Sequence, residues 1–396
     1  MNASGRQLPP PVLLRAEQGC SAGKPWEIAV IIPARNESKR IEACLHAMAD
    51  SVARSGRTVG VIVIVNDTTD DTVSKAITVL RARSLPHLAL DLRFSPGTGG
   101  VGRARDLGMK LSQRIPHPPG LLMTTDADSR VDPAWISANL TELIGAQVVF
   151  GTVIPDPDEL AQLRPLLPRH FLAEQKYAQA AIRLVNHLDP LSHDPVPRHR
   201  NHAGASIALT VQAFARLGGI PWQPVSEDRA LALRAEALDL RIRHATAPQV
   251  ITSCRLDGRA EGGMATTLRA RCSQEDPFCD DWLEAAESLA RRYHAKGRLR
   301  SLWPAPSSIW PVVHQLLGPV AGRRRGTRPD EFGTFGSFWQ HREATHPALA
   351  RQPLRQSDAE RELPLLLARL GRTSGAASGN YAGSRSRDMC HAHSAQ

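Results

Sequence analysis

Short apolar runs separated by amphipathic stretches recur through the first 155 residues of the chain. Five runs have the length expected of buried strands, at residues 27–32, 59–65, 88–94, 121–125 and 147–153. Between the runs, apolar side chains recur at helical spacing, most clearly at Ile41, Leu45, Met48 and Val52. Strand and helix therefore alternate, which predicts right-handed βαβ units in an α/β fold with a mostly parallel sheet flanked by helices.

After Pro155 the regular alternation ends and longer helical stretches appear. The pattern predicts five further elements, which are helices over residues 171–188, 210–217 and 229–237 and strands over residues 203–209 and 249–253. From about residue 268 to residue 317 the spacing is again helical. Beyond residue 371 the chain has too few apolar residues to fold on its own, which predicts disorder there.

The composition is that of a globular protein with an excess of positive charge. The chain has 396 residues, of which 42% are hydrophobic, and a formal net charge of +10. Such a charge fits a partner that carries phosphates, such as a nucleotide, an anionic lipid surface or a nucleic acid, without choosing among them. The six cysteines are scattered without a CxxC pair, which predicts reduced thiols and a cytoplasmic protein.

No apolar run reaches the roughly 18 residues expected of a membrane span, and the first residues lack the apolar core of a secretory signal. The nearest candidate, residues 309–320, is interrupted by Pro311 and Pro319. Packing within a helical extension is the preferred interpretation of this stretch. The alternative is peripheral contact with the inner face of a membrane, supported by the arginine cluster at residues 323–325.

Two carboxylates, Asp126 and Asp128, follow the apolar residues 121–123, and Asp132 with Pro133 then marks the start of a helix. In open α/β sheets, ligands bind beyond the carboxyl ends of the strands. An acid-x-acid pair at that place suits a hard divalent cation that bridges phosphates. A solvated acidic turn explains the same spacing equally well.

Residues 97–102 satisfy the GxGxxG pattern between a strand and a helix, which raises an NAD(P)-binding oxidoreductase as an alternative. Against it, the loop follows the third strand instead of the first, and several acids follow the next strand where one ribose-binding acid would suffice. A nucleotidyltransferase is a second alternative. It would need a glycine-rich, basic loop after the first strand, where this chain has Pro-Ala-Arg-Asn-Glu at residues 33–37.

Several other polar residues lie at the ends of predicted strands or helices. Asp67 can accept a hydrogen bond from a base or a ribose, or it can cap the next helix, and residues 33–37 have the same ambiguity. Glu227 and Asp228 begin a helix, where capping is the default role and a catalytic base the alternative. His244 is a candidate metal ligand, although a lone histidine is more often structural.

Taken in order, these motifs resemble the family 2 glycosyltransferases of the GT-A fold, over roughly residues 27–269. The resemblance rests on IIPARNE at 31–37, VND at 65–67 with DT at 71–72, GRARD at 102–106, TDAD at 125–128, GASIA at 204–208, GG at 218–219, ED at 227–228 and TSCR at 252–255. Two departures stand out. Asp106 replaces an asparagine that is common in the family, and the QxxRW motif of processive polysaccharide synthases is absent, as are their membrane helices.

The resemblance implies a metal-dependent inverting glycosyltransferase that moves one sugar from a nucleotide diphosphate sugar to an acceptor hydroxyl, without polymerisation. Asp128 with Asp126 would bind Mg²⁺ or Mn²⁺, and Asp228 would act as general base with Glu227 orienting it. Donor-binding candidates are Pro33, Ala34, Arg35, Glu37, Asp67, Arg105, Asp126, Arg255 and Arg259. The acceptor, a lipid or a small metabolite, stays open, and no nucleic acid partner is expected.

The resemblance also divides the chain into five predicted parts. Residues 1–24 form a flexible N-terminal tail. The GT-A domain follows, with a nucleotide-sugar-binding half over residues 25–155 and an acceptor-binding half over residues 156–267. A helical extension at residues 268–346 and a flexible basic tail at residues 347–396 complete the prediction.

Overall fold

Nine strands form one mixed sheet at the centre of the protein. The computed structural model describes residues 10–19, 24–258, 264–303, 309–318 and 329–379. The strands are β1 (Val12–Gly19), β2 (Ile28–Ala34), β3 (Val59–Asn66), β4 (His87–Arg93), β5 (Leu121–Thr124), β6 (Ser129–Val131), β7 (Val148–Pro155), β8 (Ile207–Thr210) and β9 (Ile242–Thr252). Their order across the sheet is β1-β4-β3-β2-β5-β8-β7-β9-β6.

The first half of the sheet is the parallel part. Strands β4, β3, β2 and β5 are neighbours and run parallel. Every residue of β2 and β3 is buried, which explains their nearly continuous apolar sequences. The helices that connect these strands are α1 (Ile41–Ser55), α2 (Thr72–Ala82) and α3 (Val101–Ser112). The predicted α/β class with helices flanking the sheet is confirmed.

The second half of the sheet is mixed. Strand β8 runs antiparallel to both β5 and β7, β9 runs parallel to β7, and the short β6 runs antiparallel to β9. The parallel arrangement predicted for the sheet therefore gives way beyond β5. The helices of this half are α4 (Trp135–Leu143), α5 (Pro157–Leu163), α6 (Phe171–Leu188), α7 (Val211–Leu217) and α8 (Glu227–Ala237).

A group of helices follows the sheet. These are α9 (Met264–Cys272), α10 (Ala286–Leu302), α11 (Ile309–Leu317), α12 (Phe335–Thr345) and α13 (Gln356–Gly379). Ile309, Val313 and Leu317 of α11 are buried against α10 and α12, so its apolar side chains face the protein interior. In the described part of the chain, no helix is long and apolar enough to cross a bilayer. Peripheral membrane contact stays a prediction, and residues 323–325 lie outside the described residues.

Both predicted tails contain regular structure and need correction. Within residues 1–24, β1 pairs antiparallel with β4 along the edge of the sheet. Its apolar side chains Val12, Leu13 and Leu14 are exposed, so main-chain pairing forms a strand that side-chain burial does not reveal. Within residues 347–396, α13 is helical because Ala359 and Leu366 are buried against α6. The other predicted boundaries stay predictions.

Candidate active site

A cavity of about 1040 Å³ opens where strands β2, β3 and β5 end. It is lined by the loops that follow these strands, by the glycine-rich loop before α3, by residues 203–205, by residues 222–228 and by the chain beyond β9. This is the edge of the sheet at which open α/β proteins bind ligands. The volume lies at the upper end of the roughly 300–1,000 Å³ typical of ligand pockets.

Two loops on one side of this cavity are joined by hydrogen bonds. Asn36 has a positive φ of 52°. Its N–H donates to Thr68 Oγ1 at 3.2 Å, and its Oδ1 accepts the Thr69 N–H at 2.9 Å. The Glu37 N–H donates to Thr72 Oγ1 at 2.8 Å. The predicted segment at residues 33–37 is thus fixed to the loop after β3.

Asp67 holds a third loop in place. Its Oδ1 accepts the Phe94 N–H at 2.9 Å, and its Oδ2 accepts a hydrogen bond from Asn66 Nδ2 at 3.1 Å. Asp67 lines the cavity together with the predicted donor-binding residues Pro33, Ala34, Arg35 and Glu37. Each carboxylate oxygen has a second lone pair, so these bonds leave Asp67 able to accept from a ligand.

Asp126 and Asp128 follow β5 and face two different arginines. Arg105 Nη2 donates to Asp126 Oδ1 at 2.7 Å, whereas Arg255 Nη2 lies 3.2 Å from Asp128 Oδ2. Thr252 at the end of β9 contacts Asp128 Oδ1 at 3.4 Å. Burial, with the nearby charge of Asp126, raises the pKa of Asp128 to about 7, because Arg255 offsets these effects only in part.

Arg105 is a buried counterion instead of an open phosphate-binding group. Its side chain is 1% exposed and also donates to Glu227 Oε1 and, at 3.1 Å, to Thr124 Oγ1. Arg105 still lines the cavity, and its contact with the diphosphate stays a prediction that this geometry does not favour. Arg105 lies one turn into α3, between the end of β5 and the start of α8, where it joins Asp126 to Glu227.

The Glu227–Asp228 pair begins α8 next to this arginine. Asp228 Oδ2 accepts the Gly204 N–H at 2.9 Å, and its Oδ1 accepts the Arg229 N–H at 2.7 Å. Burial, with the charge of Glu227 second, raises the pKa of Asp228 to about 6. A carboxylate at a helix N-terminus with a pKa near neutrality suits a general base.

Two glycines allow the close packing around Arg105. A Cβ added to Gly102 would lie 2.5 Å from Glu227 Cγ, and one added to Gly204 would lie 2.6 Å from Arg105 Nη2. Both positions sit in segments that the sequence singles out. A side chain at either position would push apart the residues that hold Glu227.

Asp106, which departs from the family pattern, has a structural role in this chain. Its Oδ1 accepts the Ile220 N–H at 2.9 Å, and its Oδ2 accepts a hydrogen bond from Lys110 Nζ at 2.6 Å. An asparagine could accept the first bond through its side-chain oxygen. The added negative charge is balanced by Lys110 one turn later on α3.

His244 does not line this cavity, so its role as a metal ligand stays a prediction that this placement does not favour. It pairs with Phe150 of β7, whereas Thr252, which contacts Asp128, pairs with Pro155, five residues or roughly 17 Å further along β7. Its Nδ1 bonds Asp194 Oδ2 at 2.8 Å, and its Nε2 lies 3.1 Å from His202 Nε2. The sequence does not reveal this separation, because it does not show which end of β9 reaches the cavity.

The remaining predicted residues are distributed as follows. Arg255 lines the cavity and pairs with Glu37 and Asp128. Arg259 lies outside the described residues. Trp222 also lines the cavity, and the sequence interpretation missed it. A tryptophan within the Pro-rich loop after Gly218–Gly219 was the available signal.

Replacing Arg105 is expected to destabilise the fold. The variant Arg105→Met leaves two carboxylates, Asp126 and Glu227, without their buried counterion, which should lower the free energy of unfolding by about 3–5 kcal/mol. Urea denaturation measures this change. The control Lys110→Met removes a 53% exposed cation from the same helix and should cost at most about 1 kcal/mol. Equal losses in the two variants would contradict the role assigned to Arg105.

Sequence comparison identifies the family of the N-terminal part of the chain. The family described as glycosyl transferase family 2 matches residues 29–190. This match confirms the predicted family, and the glycosyltransferase class that goes with it, for residues 29–190. No curated protein sequence matches the chain.

Solved structures give distant matches. Residues 1–349 of S. aureus TarS with UDP-GlcNAc align with a TM-score of 0.42 at 13% identity, over 72% of this chain and 75% of that one. The Pyrobaculum calidifontis mannosyltransferase PcManGT with GDP-Man and Mn²⁺ aligns with a TM-score of 0.40 at 13% identity, over 91% and 81%. Glucosyl-3-phosphoglycerate synthase from Mycobacterium tuberculosis, with Mg²⁺ and UDP, aligns with a TM-score of 0.37 at 19% identity, over 64% and 84%.

Proposed function

We propose that this chain, a glycosyltransferase with a family 2 domain over residues 29–190, moves one sugar from a nucleotide diphosphate sugar to an acceptor hydroxyl, with inversion and with the aid of Mg²⁺ or Mn²⁺. One observation carries the proposal. The carboxylates after β5, Asp126 and Asp128, share a single cavity with Asp228 at the start of α8. Asp126 and Asp128 suit a metal ion that holds the donor diphosphate, and Asp228 suits an acceptor hydroxyl.

The charges around the cavity favour a divalent cation. Among the described residues, six carboxylates and three arginines line it, so three negative charges remain when all are ionised. A donor diphosphate adds negative charge and therefore needs a cation beside Asp126 and Asp128. Mg²⁺ commonly takes only one or two protein carboxylates and completes its shell with water and substrate phosphates. The donor set therefore fits, although no larger His, Cys, Asp and Glu cluster that could hold a metal occurs in the described ranges.

Asp128 is the better candidate for direct ligation. Arg105 is buried against Asp126 and keeps one of its oxygens occupied, whereas the contact between Arg255 and Asp128 is longer. We assign Asp126 to the ribose or to a water-mediated contact. When bound, the metal ion would act as a Lewis acid that stabilises the charge building on the leaving nucleoside diphosphate.

The nucleoside is assigned to the loops after β2 and β3. Asp67 offers carboxylate oxygens to a base N–H or a ribose hydroxyl, and its two protein hydrogen bonds fix its orientation. Arg35 is exposed at the edge of the same cavity and offers a cation to the phosphates. The hydrogen bonds between the loops keep this surface in place before the donor binds.

Asp228 is assigned as general base. It would take the proton of the acceptor hydroxyl, so that the oxygen attacks the anomeric carbon in line with the departing phosphate, which inverts the anomeric configuration. The Gly204 N–H and the Arg229 N–H hold its two oxygens. Glu227, fixed by Arg105, is a positioning residue for Asp228.

A single transfer is proposed because the QxxRW motif of processive synthases does not occur in the sequence. A cytoplasmic location and an acceptor that is a lipid or a small metabolite also stay predictions. The helices beyond residue 264 and the loop at residues 189–202 are the candidate surfaces for that acceptor.

Ligand-dependent thermal unfolding tests the function. We expect UDP or GDP together with Mn²⁺ to stabilise the protein by about 2.7 kcal/mol at a hundredfold excess over Kd. NAD⁺ and RNA should leave the unfolding temperature unchanged. Equal stabilisation by the nucleotide with Mn²⁺ and with EDTA would contradict metal dependence, and stabilisation by NAD⁺ alone would contradict glycosyl transfer. NMR of the product then reports whether the anomeric configuration is inverted.

A further inference from the structure

Arg255 lies between the nucleotide loop and the acidic pair. Its Nη1 donates to Glu37 Oε2 at 2.8 Å, its Nη2 donates to Glu37 Oε1, and Nη2 also lies 3.2 Å from Asp128 Oδ2. Glu37 is buried and holds the guanidinium through two parallel hydrogen bonds. The positive charge next to Asp128 is therefore that of Arg255, whose position is fixed mainly by Glu37.

The two arginines of the site differ in their freedom to move. Arg105 is 1% exposed and bonds Asp126, Glu227 and Thr124. If Arg105 moved away, Asp126 and Glu227 would lose their counterion, which is energetically costly for buried charges. Arg255 is 15% exposed, follows the end of β9, and makes one longer contact with Asp128. Arg105 is thus held by several buried partners, whereas Arg255 makes a single, longer contact with Asp128.

We infer that, in the nucleotide-free protein, Arg255 occupies the position beside Asp128 that the metal ion would take. When the donor binds, Arg255 would move from Asp128 to the donor diphosphate, so that metal ion and nucleotide bind together. This inference rests on the proposed function. It gives Arg255 a second role besides the phosphate contact, because Arg255 makes binding of the metal ion depend on binding of the nucleotide. Arg255 acts through Asp128 and is therefore a positioning residue.

The electrostatics explain why the metal ion alone should bind weakly. A divalent cation at Asp128 would meet the guanidinium within a few ångströms, and Arg255 would lose its contact with Asp128 without gaining a partner. When the diphosphate enters with the metal ion, Arg255 gains an anion that matches its planar donors. Glu37 keeps hold of Arg255 in both states, so the exchange needs only a small movement.

Binding of Mn²⁺, measured by the electron paramagnetic resonance of the free ion, tests the inference. In the wild type we expect weak binding of Mn²⁺ alone and much tighter binding with UDP. In Arg255→Gln, Mn²⁺ alone should bind about tenfold more tightly, because a competing cation is gone, while the gain from UDP should shrink about tenfold. By linkage, the gain in UDP affinity from Mn²⁺ should shrink by the same factor.

The matched control is Arg130→Gln, which removes a cation from the adjacent small cavity that Asp128 also lines. Arg130 pairs with Asp156, so this variant should behave as the wild type. Arg255→Lys keeps the charge and should keep weak binding of Mn²⁺ alone, which guards against a variant of Arg255 that fails to fold.

The outcomes separate the two proposals. If the wild type binds UDP only with Mn²⁺ and Arg255→Gln binds Mn²⁺ alone no more tightly than Arg130→Gln, the exchange at Arg255 is wrong and the proposed function stands. If the wild type binds UDP equally well with EDTA, the metal dependence of the proposed function is wrong, and the exchange fails with it.

Discussion

Asp228→Asn is expected to lower kcat for sugar transfer by about 10²–10⁴-fold. The amide cannot take a proton from the acceptor hydroxyl. Its oxygen can still accept the Gly204 N–H that Asp228 accepts at 2.9 Å, and only the local bond from the Arg229 N–H is lost. The site around Arg105 and Glu227 should therefore keep its shape, and the Kd for the nucleotide sugar should stay unchanged. Steady-state kinetics and isothermal titration calorimetry measure the two quantities.

The control Asp281→Asn removes an exposed carboxylate that pairs with Arg229, and it should leave kcat unchanged. A pH profile adds a second test. Burial and the charge of Glu227 raise the pKa of Asp228 to about 6, against the opposing charge of Arg105. Because the base acts when deprotonated, kcat/KM for the acceptor, measured with saturating donor and Mn²⁺ so that Asp128 is already engaged, should rise with pH through about 6. Transfer by Asp228→Asn at a rate near that of the wild type would rule out this residue as the base.

Asp128→Ala is expected to raise the Kd for UDP in the presence of Mn²⁺ by about 100-fold or more, since the metal ion loses its main protein ligand. The variant also removes a negative charge from the cavity. In EDTA the Kd for UDP should therefore rise little or fall, so the two conditions separate ligation from general charge effects. Isothermal titration calorimetry with and without Mn²⁺ gives both values.

Asp132→Ala is the matched control for this effect. Asp132 belongs to the same acidic segment, but its Oδ1 accepts the Ala134 N–H at 2.7 Å, just before α4. Losing this bond should cost about 1 kcal/mol of stability and leave the Kd for UDP unchanged. Unchanged UDP affinity of Asp128→Ala in Mn²⁺ would remove Asp128 from the metal site.

Buried elements were the most predictable part of this fold. Strands β2 and β3 bury every residue, so their sequences are apolar throughout. Helix α6 spans Phe171–Leu188, the range that its apolar spacing predicts, because one face packs on the helices that follow. In these elements, the side-chain pattern is set directly by burial.

Other elements form through main-chain pairing or through contacts with distant parts of the chain, and their sequences carry no such pattern. Strand β1 is stabilised by main-chain hydrogen bonds to β4, and its apolar side chains are exposed. Helix α13 begins in a stretch rich in charged residues and carries Pro364. Its burial of Ala359 and Leu366 depends on α6, which lies far earlier in the chain.

The candidate site shows the same division. Residues at strand ends, such as Asp67 and Asp128, could be placed in one cavity because parallel strands end at the same edge of the sheet. The pairing of charges could not be predicted. Arg105 meets Glu227 across 122 residues of sequence, and Glu37 meets Arg255 across 218. Spacing identifies the carboxylates but not the arginines that neutralise them.

The β5–β8 ladder has a consequence for protein engineering. Four residue pairs, from Leu121↔Thr210 to Thr124↔Ile207, join the parallel half of the sheet to the mixed half. Under the proposed assignments, this ladder is also the boundary between donor recognition and acceptor recognition. A chimera that recombines the two halves of different family members would have to match this short seam and the side-chain pairs that cross it, among them Arg105–Glu227 and Arg255–Glu37. Donor and acceptor preference could then be exchanged as separate modules.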